Sequence, residues 1–503
     1  MTERSRLSPL PRPLSGAGVF ALPLVALLSG CVGIPDVGSR PQTLAAGAVA
    51  AERSLSGGAD EAGVPVAVWP GEGWWRDYQD PQLDALIAEG LANAPDVAAA
   101  AARFRKAGAL AGQARAALLP QLDAQGRVGF DKQSLNTGSQ AIKGFLPRGW
   151  NDGGQVAAAL GFDVDVWGRN RAALATATSE ARAAAIEAQE ARLMLAVGIA
   201  SAYVDLDRLF AERDVRAHEL KGAEDARRLM ADRQANGLET RGNAAEAEAL
   251  AARSRVALSQ VDESLVLRRN QLAALLGAGP DRGLELTRPA LVAPAPRGVP
   301  DGVTTDLVGR RPDVAAARQR VEAAASRIKV ARADFFPAIR LDAMFGFQAL
   351  GLDLLFAKDS AMGSVGPAVS LPIFHGGDLR GRYRGARADY DAAVAGYNGT
   401  VLGAYRQTAD ALTTARMAGQ RLADARQAEA ASQVAFDVIV ARYKGGLATY
   451  LEVLQVDQRL LEARLAVAGL EAVVRNADIA LVRALGGGFV ASPDISVKDP
   501  AHG

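Results

Sequence analysis

RQANGLETRGNAA (residues 233–245) and RYKGGLATYLEVL (442–454) set down the same local pattern twice. Each has an arginine, a glycine-leucine-x-threonine turn and a return to helix-like sequence. Each sits deep inside a proline-free stretch, 148–279 and 373–492. Proline inside a helix costs about 3 kcal/mol, so its absence permits very long helices. The Ala-, Glu-, Arg- and Leu-rich runs 169–233 and 378–442 are expected to be such helices. At about 1.5 Å per residue each would measure roughly 100 Å. Gly237, and Gly446 after Gly445, supply the left-handed residue that ends the outgoing helix. Thr240 and Thr449 can cap the returning one. Two long helical hairpins, each with its tip at the repeated motif, are the first expectation.

The repetition extends along the chain. PDVAAA begins at Pro95 and again at Pro312; Pro120 corresponds to Pro337, and Gly129-Phe130 to Gly346-Phe347, all 217 residues apart. Gly237 and Gly446, like Gly277 and Gly486, are 209 apart. The chain is therefore an internal duplication. The second copy is eight residues shorter between these sets of anchors. The extra residues of the first copy are placed in its polar run DKQSLNTGSQAIKG, as an exposed loop.

Four further segments alternate with period two. Leu122, Ala124, Gly126, Val128 and Phe130 share one face, against Asp123 and Arg127. Val156, Ala158, Leu160, Phe162, Val164 and Val166 oppose Asp163 and Asp165. Ile339, Leu341, Ala343, Phe345 and Phe347 oppose Arg340 and Asp342. Val365, Val369, Leu371 and Ile373 oppose Ser364 and Ser370. The lengths suit membrane strands, and a soluble sandwich is the other reading. Four strands cannot close a barrel, and an open edge cannot lie in lipid. In a membrane, copies of the chain would have to combine into eight or twelve strands around a polar lumen.

Composition narrows the function. The net charge of +1 gives no field favouring nucleic acid. One cysteine, Cys31, excludes an intrachain disulfide and a cysteine-based metal cluster. Arg4, Arg6 and Arg12 precede an apolar run ending Leu28-Ser29-Gly30-Cys31, a signal-peptide pattern. Its ending resembles a bacterial lipobox, in which the cysteine is lipidated; an ordinary secretory signal is the alternative. Val32 after the cysteine resembles the sorting pattern for the outer membrane. No zinc-protease, nucleophile-elbow or phosphate-loop motif occurs. GAGPDRG from Gly277 reads as a helix stop. His375 stands without a second histidine or a cysteine nearby. No enzyme activity, cofactor or metal is expected.

Several runs together resemble the outer-membrane efflux factor family, the TolC and OprM type, and within it the NodT-like lipoproteins. They are WWRDYQDPQLDALIAEGLANAPDV from Trp74, FDVDVWGR from Phe162, GRRPDVAAAR from Gly309, LPIFHGG from Leu371 and the second tip. The resemblance covers nearly the whole mature chain. It implies an α+β membrane protein: four transmembrane β-strands per protomer in a trimeric 12-stranded β-barrel, and long helical hairpins forming a periplasmic α-barrel. It implies a homotrimeric outer-membrane channel of a Gram-negative bacterium, lipid-anchored, serving as a passive exit duct for drugs or toxic compounds. The partners implied are a periplasmic adaptor protein and an inner-membrane pump of the resistance-nodulation-division type.

On this resemblance Gly237, Leu238, Thr240, Gly446, Leu447 and Thr449 form adaptor-docking tips. Arg442, Tyr443 and Glu452 are gate candidates, against the plainer readings of a helix-end cation, a packing aromatic and a solvated charge. Asp123, Arg127, Asp163, Asp165, Arg340 and Asp342 face the lumen. The barrel loops 131–154 and 349–363 face outside. The chain divides into a signal peptide (1–30), a lipid-anchored and equatorial segment (31–93), a first repeat (94–300), a second repeat (301–486) and a tail (487–503). A lipid-anchored periplasmic coiled-coil scaffold is the competing reading; it accounts for the helices but not for the strands.

Overall fold

The computed structural model describes residues 34–45, 48–55, 68–134, 136, 144, 147–294, 297, 298, 300 and 303–490. Cys31, the signal segment 1–30 and most of the 487–503 tail lie outside the described residues. The elements repeat in order. The first copy runs α1 (Pro81–Asn93), α2 (Pro95–Ala116), β1 (Gln121–Asp131), β2 (Asn151–Val164), α3 (Arg169–Ala235) and α4 (Arg241–Leu275). The second runs α5 (Val303–Arg310), α6 (Pro312–Ala333), β3 (Ala338–Leu350), β4 (Ala361–Ser370), α7 (Asp378–Lys444) and α8 (Tyr450–Ala484). The outgoing hairpin helices α3 and α7 are both 67 residues, and the returning α4 and α8 both 35. Each copy thus builds the same hairpin. No helix is long and apolar enough to cross a membrane among the described residues.

The chain forms two compact units, and each sequence copy contributes to both. One unit comprises Leu110–Ala177 and Glu322–Asp391 with the described residues up to Arg40, and holds the sheet. The other comprises Pro41–Ala109, Thr178–Val321 and the described residues from Ala392, and holds most of both hairpins.

Local chemistry starts the helices. Pro95 and Pro312 open α2 and α6, where a missing N–H costs nothing, and Asp96 and Asp313 complement the helix dipole. Asp80 caps α1 by accepting from the Gln82 and Leu83 amides. Arg311, 4% exposed, ties the second copy together. Its guanidinium binds the Asp313 carboxylate, Gln407 Oε1 at 2.8 Å and the Ala484 carbonyl at 3.1 Å. Four oxygens around one buried cation repay its desolvation.

The main core lies in the second unit. Leu83, Leu86 and Ile87 of α1, with Trp74 and Tyr78, pack with Ile199, Tyr203 and Leu206 of α3, Leu272 of α4, and Ile479 and Val482 of α8. A polar network threads through it. Asp80 accepts from the Tyr203 hydroxyl and the Ala290 amide, both at 2.8 Å. Tyr78 donates to Asp478 at 2.7 Å, and Arg297 joins Asp478 to Asp77. Burial raises both tyrosine pKa values, so these hydroxyls stay protonated donors. The network fastens the segment before α1 and the linker after α4 onto the hairpin helices.

The strands form one antiparallel sheet in the order β1-β2-β3-β4, so among the described residues β1 and β4 are both unpaired edges. β2 begins earlier than the alternation suggested. Gly153 and Gly154 pair with Leu350 and Ala349, which shortens the connections to 132–150 and 351–360. The longer connection belongs to the first copy, where the repeat offset changes.

Candidate functional site

The strand register fixes which side chains share a face, because directly paired residues point the same way. Leu122 pairs with Leu160, Ala158 with Phe345, Phe162 with Leu341, and Ile339 with Val369. The apolar residues of all four strands therefore form one continuous face. It is largely uncovered within the chain: Leu122, Phe345 and Val369 are each about two-thirds exposed. On the opposite face Asp163 pairs with Arg340, and Asp342, Asp123 and Arg127 follow by the same parity. Arg340 Nε lies 2.9 Å from Asp342 and 3.8 Å from Asp163. Arg127 lies 3.5 Å from Asp131. A sheet with one apolar and one charged face suits a wall between lipid and water.

Three expectations at the strand ends need correcting. Asp165 is not a strand residue, because β2 ends at Val164. Its carboxylate accepts from the Asn170 and Arg171 amides at 3.0 and 2.9 Å, and binds the Arg171 guanidinium. It holds the start of α3. Val166, likewise, has left the strand. In the second copy β4 stops at Ser370, before Leu371 and Ile373; Pro372 has no N–H with which to continue a ladder.

The strand ends also carry aromatics, of which alternation revealed only Phe130. Trp167 stacks on Phe336, ring centroids 4.7 Å apart, and its indole N–H donates to the Pro337 carbonyl. This pair joins the β2–α3 junction of one copy to the α6–β3 junction of the other. At the opposite strand ends Phe130, Trp150 and Phe356 are each about 70% exposed. Aromatic belts at both ends of an apolar band are the pattern of barrels at membrane–water interfaces.

The two tips have matching geometry. Gly237 has φ 70° and Gly446 φ 72°, a region that side chains with a Cβ disfavour. Leu238 N–H donates to the Arg233 carbonyl and Leu447 N–H to the Arg442 carbonyl, each at 2.8 Å. This six-residue closure satisfies the last carbonyls of α3 and α7. Thr240 then accepts from the Asn243 amide and Thr449 from the Glu452 amide. The second tip completes a capping box: Glu452 accepts from the Thr449 amide at 2.6 Å and from its hydroxyl at 2.9 Å. In the first tip Glu239 substitutes. It accepts from the Thr240 amide and the Asn243 side chain. Leu238 and Leu447 are 68% and 72% exposed, so neither side chain is spent on its own turn.

The three gate candidates lie close together in sequence but have different local duties. Arg442 donates to the Leu447 carbonyl at 3.3 Å, inside its own turn. Glu452 is held by the cap. Tyr443 packs on Tyr450 with centroids 6.1 Å apart, and both buried hydroxyls lack a hydrogen-bond partner among the described residues. Burial pushes Tyr450 up to about 12. From Tyr450 inward the two hairpins line a partly open cavity of about 340 Å³, formed in part by His218, Glu219, Phe436, Asp457 and Leu461. Burial, with Glu219 nearby, raises Asp457.

The caps give a pH signature. The Thr449 amide, then its hydroxyl, hold Glu452 below the ordinary glutamate value of 4.5. Its contribution is therefore complete above that value and lost as pH falls through the depressed value of the folded tip. Thr449→Ala should weaken the tip by about 1 kcal/mol and speed hydrogen exchange of the first α8 amides several-fold. Glu452→Gln should show faster exchange than the natural chain at neutral pH, with the difference closing in acid. Equal exchange in both chains at neutral pH would remove the cap from the tip's stability.

Residues 86–278 and 304–487 match the family described as outer membrane efflux protein, one segment in each copy. Fusaric acid resistance protein FusA of Burkholderia cepacia is 37% identical over 383 residues, covering 74% of this chain and 70% of FusA. Multidrug resistance outer membrane protein MdtP of Shigella flexneri is 30% identical over 451 residues, covering 88% of this chain and 91% of MdtP. Among solved structures, outer membrane protein VceC of Vibrio cholerae matches with a TM-score of 0.78 and 40% identity, over 84% of this chain and 100% of VceC.

Proposed function

Because the chain belongs to the outer membrane efflux protein family, we propose that three copies join their sheets into one 12-stranded barrel and their hairpins into a periplasmic tube. The observation that carries this is the sheet itself, apolar on one face, charged on the other and unpaired at both edges. An unpaired edge in lipid leaves backbone groups unsatisfied at several kcal/mol each. Pairing β4 of one copy with β1 of the next removes every edge. Eight strands give an interior that side chains can fill, so a water-filled duct calls for more. Three copies supply twelve. The scaffold alternative gives no reason for such a sheet.

In this reading Asp123, Arg127, Asp163, Arg340 and Asp342 line the lumen. Gly237, Leu238, Thr240, Gly446, Leu447 and Thr449 shape six tips that receive a periplasmic adaptor, coupled to an inner-membrane pump of the resistance-nodulation-division type. Arg442, Tyr443 and Glu452 stand where those tips narrow the tube. The names of the relatives, fusaric acid resistance and multidrug resistance, support toxic small organic molecules as cargo. The duct performs no chemistry on them. A strain lacking this chain should become sensitive to such compounds, and the natural chain should restore resistance. Restoration by Phe345→Arg, which bars the sheet from lipid, would argue against the duct.

The lipid anchor belongs to the same proposal. Leu28-Ser29-Gly30-Cys31 supports acylation of Cys31, which contributes about 0.8 kcal/mol per buried methylene. Cys31→Ser should lose palmitate labelling and mature poorly. Label retained in the substituted chain would place acylation elsewhere.

A further inference from the structure

We propose that the β3–β4 connection, residues 351–360, rests on the lipid-facing side of the barrel and sets Phe356 among the acyl chains of the outer leaflet. It is not a lid over the lumen. The inference rests on the reading of the apolar sheet face as the lipid face, and adds a contact which alternation along the strands does not contain.

The connection is folded and fastened. Gly351 N–H donates to the Asp152 carbonyl at 2.7 Å and Leu352 N–H to the Asp152 carboxylate at 2.9 Å. Two 3-10 turns follow, Leu352–Leu354 and Lys358–Ser360, and the Ser360 hydroxyl donates to the Leu354 carbonyl. Its direction can be read from the sheet. Gly154 pairs with Ala349, and both belong to the face that carries Leu160 and Phe345. A Cβ at Gly154 would meet Leu352 at 3.0 Å and Leu355 at 3.1 Å. Those two leucines therefore cover the apolar face at its outer end. Phe356 continues the same surface: its ring is 5.7 Å from Phe347, whose ring is 6.4 Å from Phe345.

Leu355 is buried by this packing, at 6% exposure, whereas Phe356 remains 71% exposed. An exposed aromatic continuous with a lipid-facing band has acyl chains as its natural cover. Exposed Lys358 and Asp359 follow at once, keeping the rest of the connection in the polar headgroup layer. Asp152 is the positioning residue, since both of its bonds fix the point where the chain turns onto this face.

The test is collision accessibility of a nitroxide spin label on the full chain, purified as the assembled channel and returned to phospholipid bilayers. Labels are placed at Phe356→Cys, Ala357→Cys, Phe345→Cys and Asp342→Cys, with the unsubstituted chain as background. Oxygen concentrates in the acyl region and a nickel chelate in water. At Phe356 and Phe345 oxygen collisions should exceed those with nickel several-fold, and at Asp342 the order should reverse. Nickel preference at Phe356 with oxygen preference at Phe345 would overturn the proposal while leaving the lipid face intact. Nickel preference at Phe345 would overturn the lipid face itself. Inaccessibility to both reagents at Phe356 and Ala357 would place the connection against a neighbouring copy, and would also overturn the proposal.

Discussion

Phe345→Arg should abolish recovery of the assembled channel from the outer membrane, whereas Asp342→Asn should leave it at the level of the natural chain. The two positions lie on one strand and face opposite ways. Phe345 is paired with Ala158 in the middle of the apolar face, and is 66% exposed within a single chain. An arginine at mid-membrane on the lipid side costs about 2–4 kcal/mol, and a trimer meets that cost three times. Asp342 faces the charged side beside Arg340, where water can solvate an amide as readily as a carboxylate. Removing one exposed ion pair changes stability by at most about 1 kcal/mol. Heat-modifiable migration of the outer-membrane fraction measures both variants. Equal yields would contradict the assignment of faces.

The Leu238→Asp, Leu447→Asp double variant should assemble normally and lose its adaptor. Neither leucine side chain is needed to close its turn, which uses the backbone N–H of each. Both are exposed beside the left-handed glycines. Burying an unpaired carboxylate against a partner costs several kcal/mol, which corresponds to a loss of affinity of about 100-fold or more. Co-purification of the adaptor, set beside trimer yield, separates docking from folding. Gly446→Val should behave differently. At φ 72° a β-branched residue is strained, so the second hairpin itself should weaken. Undiminished adaptor recovery with the double variant would reduce the repeated motif to a plain turn.

Much of this architecture was legible because it is local or repeated. Proline spacing and the paired Gly-Leu-x-Thr turns located both hairpins to within two residues of their observed outgoing helix ends. Alternation put Leu160, Phe345 and Val369 on one face before any register was known. The misses have physical causes. Asn151–Gly154 carry no apolar signal, so the start of β2 depended on pairing with β1 and then β3. Asp165 continued the alternation in spelling, but the opening amides of α3 drew its carboxylate into a cap. Glu452 had the threonine-x-x-glutamate spacing of a capping box, a local duty that neither the gate reading nor the solvated-charge reading included. Glu239 was missed because it precedes its threonine. The Trp167–Phe336 stack and the Asp80–Tyr203 bond join residues 169 and 123 positions apart, beyond the reach of local pattern.

Barrel closure can be tested by fixing one cysteine at Met362, on β4, and scanning a second along β1 from Gln121 to Asp131. The paired variants are oxidised in outer membranes and run on a denaturing gel. Residues facing each other across adjacent strands lie close enough for a disulfide, and the pairing of β1 with β4 between copies fixes which position reacts. A closed ring of three predicts a covalent trimer as the end product at positions of matching register. A ladder extending beyond three copies, or no cross-link at any β1 position, would contradict a barrel shared by three chains.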